Sequence, residues 1–448
     1  MRSLILLVAY LSFLVIGTSA PFIIGLGYVW TDIMLPQRVA WSILPSIPVS
    51  AIMGAATVGA YLLFDRKDRP SFWSGSWLFV VWAAWVTMTT TWAEVPEPAW
   101  VKWDWAVKTI LFAGFLPYLF RTRTHLEALI LVMVSAMIAH MIPYAVKTAI
   151  NGGGYDMSIG LIPVNNGWGG ESSTFATACA ALLPILMWCK DHSRILPRQR
   201  LLFLGMGGIA LVGLIGSYAR TGLVALAVVA GAWWLQSRRK VLWLIAFAAI
   251  GSAGMAFTTD QWMARMSTIT TYGKEESALG RVAVWLWTLD YVKDHPLGGG
   301  FEVYRINTFK VPIEGSHNQF LEIRGKAFHS IYFEVLGEHG WPGAAIWGVL
   351  MLLGLWQYWV VIRRTTGSKD LLWLRELAKA LLIAMLAFLA GGAFIGIAFQ
   401  PFLYDFVAIS ISLSQLVRAH RHELDSHREA SRDPIVFPRS FRLPTLRS

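Results

Sequence analysis

Between Thr258 and Ser330 the chain holds one long polar stretch that carries Arg281, the run HPLGGG (His295 to Gly300), His317, Arg324 and His329. These residue types suit two tasks. A guanidinium grips a phosphate through paired hydrogen bonds, and an imidazole moves a proton near neutral pH. Together they fit group transfer on a phosphorylated substrate, with a histidine as general base for an acceptor hydroxyl. Arg281 opens GRVAVWLWTLDYVKDHPLGGG, which reads as an amphipathic helix with Val282, Trp285, Leu289 and Val292 on one face, stopped by Pro296 and the glycines. A helix start already favours an anion, so Arg281 either grips a phosphate there or rests on a lipid headgroup; spacing alone leaves both open. His329 opens a second short helix in FHSIYFEVLGEHGWPG (Phe328 to Gly343), with Tyr332, Phe333 and Leu336 toward apolar surroundings. His295, His317 and His339 compete for the role of base, and a purely structural histidine is the plain alternative for each.

Arg220 stands in SYARTGLVALAV, at a short turn between two apolar runs. Charge so near hydrocarbon is costly, which makes it a binding-site candidate; the alternative is a side chain that snorkels to the interface. Metal and nucleotide sites have no sequence support. There is no HExxH, no DxD-type pair, no cysteine cluster and no GxxxxGK[ST], so no metal and no cofactor is expected.

The elements that must position these residues are membrane helices. Of 448 residues 56% are hydrophobic and 15% charged, with mean hydropathy +0.52, too little charge for a soluble globule. The 23 Trp and 13 Tyr fit interfacial belts, WAEVPEPAWVKWDW (Trp92 to Trp105) being one, with a sugar-stacking platform as the alternative. The net charge of +11 is spread in short clusters beside apolar runs, so it orients the chain in a bilayer, and nucleic acid is not an expected partner. Cys179 and Cys189 lie in one apolar run, about 15 Å apart along a helix and beyond disulfide reach.

The expected fold is all-α: a polytopic membrane helix bundle of about twelve spans, with one large periplasmic loop containing short amphipathic helices. Residues 1–190 form an N-terminal transmembrane region, 191–257 a transmembrane core, 258–340 the periplasmic catalytic loop, 341–417 the C-terminal spans, and 418–448 a basic cytoplasmic tail without structure. Basic clusters at 66–69, 121–123, 190–200, 238–240 and 363–369 fall at every second connection, as cytoplasmic loops require. The stretch 258–330 carries eight basic and eight acidic residues and lacks that signature. The first apolar run, 3–31, is taken as one span, with Arg2 and the tail both cytoplasmic; a break at Gly17 to Pro21 would instead give two helices and thirteen spans.

The order SYARTG, then GRxxxW followed by HPLGGG, then HSIYFEVLGEHGWPG leading into a span resembles the membrane glycan ligases and polymerases typified by bacterial O-antigen ligase, over roughly residues 200 to 360. The first 190 residues, including PQRVAW (Pro36 to Trp41), look like the amino-terminal part of a branch described as O-glycosylation ligases associated with exosortase systems. The resemblance implies a bacterial inner-membrane enzyme whose site faces the periplasm. It would transfer a glycan from undecaprenyl pyrophosphate to an acceptor hydroxyl of lipid A core, protein or another glycan, amid membrane lipids and without metal or nucleotide. By motif position Arg220 and Arg281 would hold the pyrophosphate and His329 would be the base. Apart from that resemblance, Arg305, His317, Arg324, Glu334 and Glu338 are candidates to orient a substrate or the histidine. Family members commonly carry His-Asn at the histidine position. Here Ser330 follows His329 and the His-Asn pair is His317 and Asn318; the Glu-His-Gly ending after His329 keeps the family register. One-step attack at the anomeric carbon would invert its configuration.

Two other functions share these features. A polymerase joining lipid-linked repeats would use the same arginines and histidine. A transporter of lipid-linked sugars would use charges inside the spans, for which Lys108 and His140 are the candidates.

Overall fold

The computed structural model describes residues 2–65, 74–152, 172–243, 245, 248, 276–312 and 320–430. Within this range the chain is a helical bundle. Its helices are α1 (Arg2–Gly17), α2 (Pro21–Met34), α3 (Val49–Phe64), α4 (Trp77–Thr90), α5 (Pro96–Leu119), α6 (Arg123–Asn151), α7 (Ser172–His192), α8 (Arg200–Gly216), α9 (Arg220–Gln236), α10 (Glu276–Asp294), α11 (Ile331–Arg364), α12 (Leu372–Gly392) and α13 (Pro401–Ala430), with one-turn pieces between some of them. Four helices among the described residues are long and apolar enough to cross a membrane: α6, α7, α11 and Pro401–Arg421 within α13. α7 and α13 are the most enclosed, with Ala176, Ala180, Leu182, Phe402, Val407 and Ile411 at 0% exposure.

The first apolar run is two helices rather than one span. Pro21 cannot donate to the preceding turn, and it holds Ala20 extended (φ −152°, ψ 98°), so α1 ends and α2 begins with proline at its first turn. The two pack as an antiparallel hairpin: Phe13 lies 5.7 Å from Trp30, and the Trp41 amide donates to Ser3 Oγ at 3.0 Å. Arg2 consequently rests over the Trp41 ring at 4.8 Å. The α1–α2 turn, where Phe22 stacks on His125 at 4.0 Å, lies at the opposite end. The expectation of one span that puts Arg2 beside the other basic clusters is thus overturned. Those clusters do meet at one end: Arg121 pairs with Asp65, Arg123 donates to the His192 carbonyl and covers Trp373, and Arg421 donates to the Arg364 carbonyl.

Three further expectations change. The fold is not purely α, because β1 (Thr308–Pro312) and β2 (Phe320–Arg324) pair antiparallel, Phe309 opposite Ile323 and Val311 opposite Leu321. Alternating apolar residues in FKVP and FLEIR carry that signal. The tail is helical through Ala430, since its first residues, RAHRHELDSHREA, lack glycine and proline and simply extend α13. The aromatic segment before residue 105 is not a connection, because α5 begins at Pro96, where proline fits the first helical position. Residues 258–275, His317 and the tail beyond 430 lie outside the described residues; so does most of 241–257.

Candidate active site

At the end of the bundle away from the basic clusters, four segments distant in sequence converge on Lys102. Its ammonium, on the second turn of α5, lies 2.7 Å from Glu334 Oε1 and 2.8 and 3.1 Å from the two Glu338 oxygens, with Glu302 Oε1 at 4.0 Å. Phe301 and Phe399 present ring faces to the same ammonium at 5.3 and 5.2 Å. The group is buried: the side chains of Lys102, Glu334 and Glu338 are 11%, 7% and 0% exposed. Charges so enclosed persist only when paired and hydrogen-bonded, and here most oxygens are occupied. Glu334 Oε2 accepts from the Ala398 amide at 2.9 Å, and Glu338 Oε1 from the Glu302 amide at 2.9 Å. Glu302 is fixed in turn by Tyr304 (2.9 Å) and Arg305 (2.8 Å). Burial alone would raise the Glu302 carboxyl, but Lys102 and the hydrogen bonds from Arg305 and Tyr304 outweigh it and hold the group below its ordinary range. Burial, then the Glu302 charge, pushes the Tyr304 phenol up to about 12.

Backbone contacts dictated by glycine lock the polar loop to this centre. Gly298 (φ 82°) and Gly340 (φ 65°) pass so close that a Cβ on Gly298 would sit 2.4 Å from the Gly340 nitrogen. Gly299 and Gly300 donate to the carbonyls of Gly337 and Glu338 at 3.1 and 2.8 Å, and Trp341 donates to the Pro296 carbonyl at 3.0 Å. HPLGGG therefore does more than stop α10. It clamps that helix to a kink in α11, where Gly340 leaves helical geometry (φ 65°, ψ −168°). The orphaned carbonyls on the inner side of the kink are the ones the loop glycines satisfy.

His329, Arg281 and Arg220 lie toward the same end of the bundle. His329 occupies the left-handed region (φ 48°), one residue before the extended Ser330 that caps the start of α11, where Glu334 donates to the Ser330 carbonyl at 2.8 Å. A non-glycine residue held there is a local strain that the surroundings must support. Its backbone nitrogen and Glu334 Oε2 border the same point, 3.9 and 3.5 Å from where a Cβ on Gly396 would lie. Arg281 is half-buried on the first turns of α10, one turn before Trp285. Trp285 donates to the Phe328 carbonyl at 2.8 Å and stacks on Phe333 at 5.1 Å, which brings the Arg281 end of α10 against the segment that carries His329. Arg220 is the first residue of α9, half-buried, after an extended Ala219. Gly222 packs on Ala176, Gly391 on Thr177 and Gly392 on Ile331, so the starts of α9, α7 and α11 and the end of α12 form one rim. The Thr221 hydroxyl beside Arg220 is buried, without a hydrogen-bond partner among the described residues.

Other candidates separate from the site. Arg324 is exposed on β2 and pairs with Glu322 at 2.8 Å. Arg305 reaches the centre only through Glu302, while Glu338 lies at its heart. Of the competing histidines, His295 is exposed and stacked on Tyr291 at 4.3 Å. His339 is fully buried, bonded through Nδ1 to Thr89 Oγ1 at 2.7 Å and ringed by Trp82, Phe301 and Phe399, so it packs the kink rather than facing a substrate. Of the transport candidates, Lys108 pairs with Asp104 near the same end, and His140 bonds the Ile33 carbonyl at 3.1 Å. The faces predicted for the two loop helices shift as well. α10 buries Val284, Thr288 and Val292 and exposes Val282 and Leu289, and in α11 Glu334 and Glu338 point inward while Tyr332 is 44% exposed. Lys102 is the residue sequence reasoning missed.

Residues 1–194 match a family of unknown function, DUF5935, and residues 205–348, from α8 to the first turns beyond the kink in α11, match the O-antigen ligase family. No curated protein matches the chain. The match over residues 205–348 supports the O-antigen ligase superfamily and a membrane ligase- or polymerase-type function.

Proposed function

We propose that this protein transfers a glycan from undecaprenyl pyrophosphate to an acceptor hydroxyl at the periplasmic face of a bacterial inner membrane, with no metal or nucleotide. The observation that carries the reading is the shared rim: the helix starts bearing Arg220 and His329 and the loop helix bearing Arg281 all border one end of the bundle. Arg220 and Arg281 bind the two phosphates, aided by the amides at the start of α9 and the Thr221 hydroxyl. The departing pyrophosphate gains charge as the glycosidic bond breaks, and two fixed guanidiniums stabilise that charge without reorganising. His329 accepts the acceptor proton while its oxygen attacks the anomeric carbon from the opposite face, so the product is inverted. Glu334 bonds the Lys102 ammonium and the Ala398 amide, so the Lys102 centre holds the start of α11, just after His329, in place. The branch of O-glycosylation ligases is the one to which we assign the chain, with protein or glycan hydroxyls as acceptors.

The test uses purified protein in lipid nanodiscs, lipid-linked glycan and a panel of acceptors. His329→Ala slows transfer by about 10² to 10⁴, the usual worth of a general base, and Arg281→Ala also abolishes most activity. Transfer that survives both changes refutes the mechanism. Movement of donor across a bilayer without product would point to the transporter instead.

A further inference from the structure

On the other side of α5 from Lys102 lies a cavity of about 220 Å³ between α2, the start of α3 and the outer turns of α5. Its polar wall includes Asp32, Gln37, Asp104 and Lys108 beside Ser50, and Tyr28 and Trp105 add aromatic surface. At about 100° per residue, Asp104 and Lys108 point some 200–240° around α5 from Lys102, so the helix, about 10 Å across, separates the cavity from the buried ionic centre. We infer that this cavity is a saccharide subsite, holding one neutral sugar ring of the glycan being transferred or extended. The inference rests on the glycan-transfer reading above and names where that glycan is gripped.

The chemistry of the wall selects the ligand class. Asp32 accepts from the Thr109 hydroxyl at 3.1 Å and Asp104 from Lys108 at 2.7 Å, so both carboxylates are oriented before anything binds. Gln37 Oε1 is buried with no hydrogen-bond partner, an acceptor that needs a donor from outside the described residues. Three acceptors and an ammonium around an aromatic surface match a ring with several hydroxyls on its edge and C–H groups on its face. A divalent cation would want six or more oxygen ligands at close range, and here Lys108 already sits on one of the carboxylates. An anion would face two carboxylates, and an acyl chain would leave the buried Gln37 oxygen unsatisfied. The size admits a single ring, below the roughly 300 Å³ at which drug-sized pockets begin.

The experiment measures saturation-transfer NMR of methyl glycosides of common hexoses, 6-deoxyhexoses and N-acetylhexosamines with the full chain in nanodiscs. The parent gives ring-proton saturation for at least one glycoside. Asp104→Ala and Trp105→Ala lose it, whereas His329→Ala and Arg281→Ala keep it. In the transfer assay Asp104→Ala raises the KM for glycan about tenfold, the worth of one lost charged hydrogen bond. Saturation that is equal in the parent and both cavity variants, or absent with every glycoside, overturns the subsite while leaving the role of His329 to its own test. Saturation that follows Asp104 in a protein that transfers no glycan would keep the subsite and sink the transferase reading.

Discussion

Replacing Lys102 with methionine isolates what the buried ionic centre contributes. Methionine keeps the length and the contacts with Phe301 and Phe399 but removes the cation that Glu334 and Glu338 share, with Glu302 at the edge. At 2.7 and 2.8 Å and an effective dielectric of about 20, each short contact carries about 6 kcal/mol of attraction. Desolvation of the ammonium offsets most of that, so the loss expected is that of a broken buried pair, about 3–5 kcal/mol. Glu338 at 0% exposure and Glu334 at 7% would be left facing each other without a counter-ion. In a chain of this size the apparent melting temperature then falls by about 5 °C, read by the fraction that stays monodisperse after heating in detergent. Transfer activity should fall further than stability, because the start of α11 loses its anchor. Adding Glu334→Gln and Glu338→Gln to Lys102→Met removes the stranded charges and recovers much of the melting temperature, a coupling that a mutant cycle measures. A Lys102→Met protein that melts with the parent, or a triple variant no better than the single one, refutes the claim that these charges support one another.

Gly298→Ala should destabilise by about 2 kcal/mol or more, because the new methyl meets backbone atoms at 2.4 to 2.6 Å and the residue keeps φ 82°; a melting curve equal to the parent's would contradict the clamp. Glu302 sets an acid limb. Its folded carboxyl lies below the ordinary 4.5, so its contribution is fully present above that value and is lost as pH falls through the lower folded value; Glu302→Gln should flatten the melting temperature below pH 4.5. Arg324→Ala removes only an exposed pair, worth about 0–1 kcal/mol, and should leave transfer within twofold of the parent.

The parts of the fold visible in sequence were those set by local chemistry. Pro296 and the glycines stop α10 after Asp294, and GWPG places the break in α11. Pro21 carried the signal for the α1–α2 hairpin, but an unbroken apolar run on both sides outweighed it. What stayed hidden depends on distance along the chain. Lys102 sits in an aromatic segment that reads as an interfacial belt, and its partners lie 232 and 236 residues downstream. The legible trace of that centre is the spacing of Glu334 and Glu338, two carboxylates four apart on an otherwise apolar helix, which must find a cation. The glycines of HPLGGG likewise reveal a turn but not its partner, since close approach to Gly340 is a tertiary fact. The arginine and histidine candidates were found by type and order. Their common rim required the packing of α7, α9, α11 and α12, and no periodicity encodes it.

The most direct measurement separates donor binding from chemistry by single-turnover transfer from labelled undecaprenyl-pyrophosphate-linked glycan at varied donor concentration. Arg220→Ala and Arg281→Ala should weaken half-saturation by the donor, while His329→Ala should bind the donor as the parent does and turn it over about 10² to 10⁴ more slowly. Arginine variants that bind and react like the parent, or a His329→Ala protein with an undiminished rate, contradict the account.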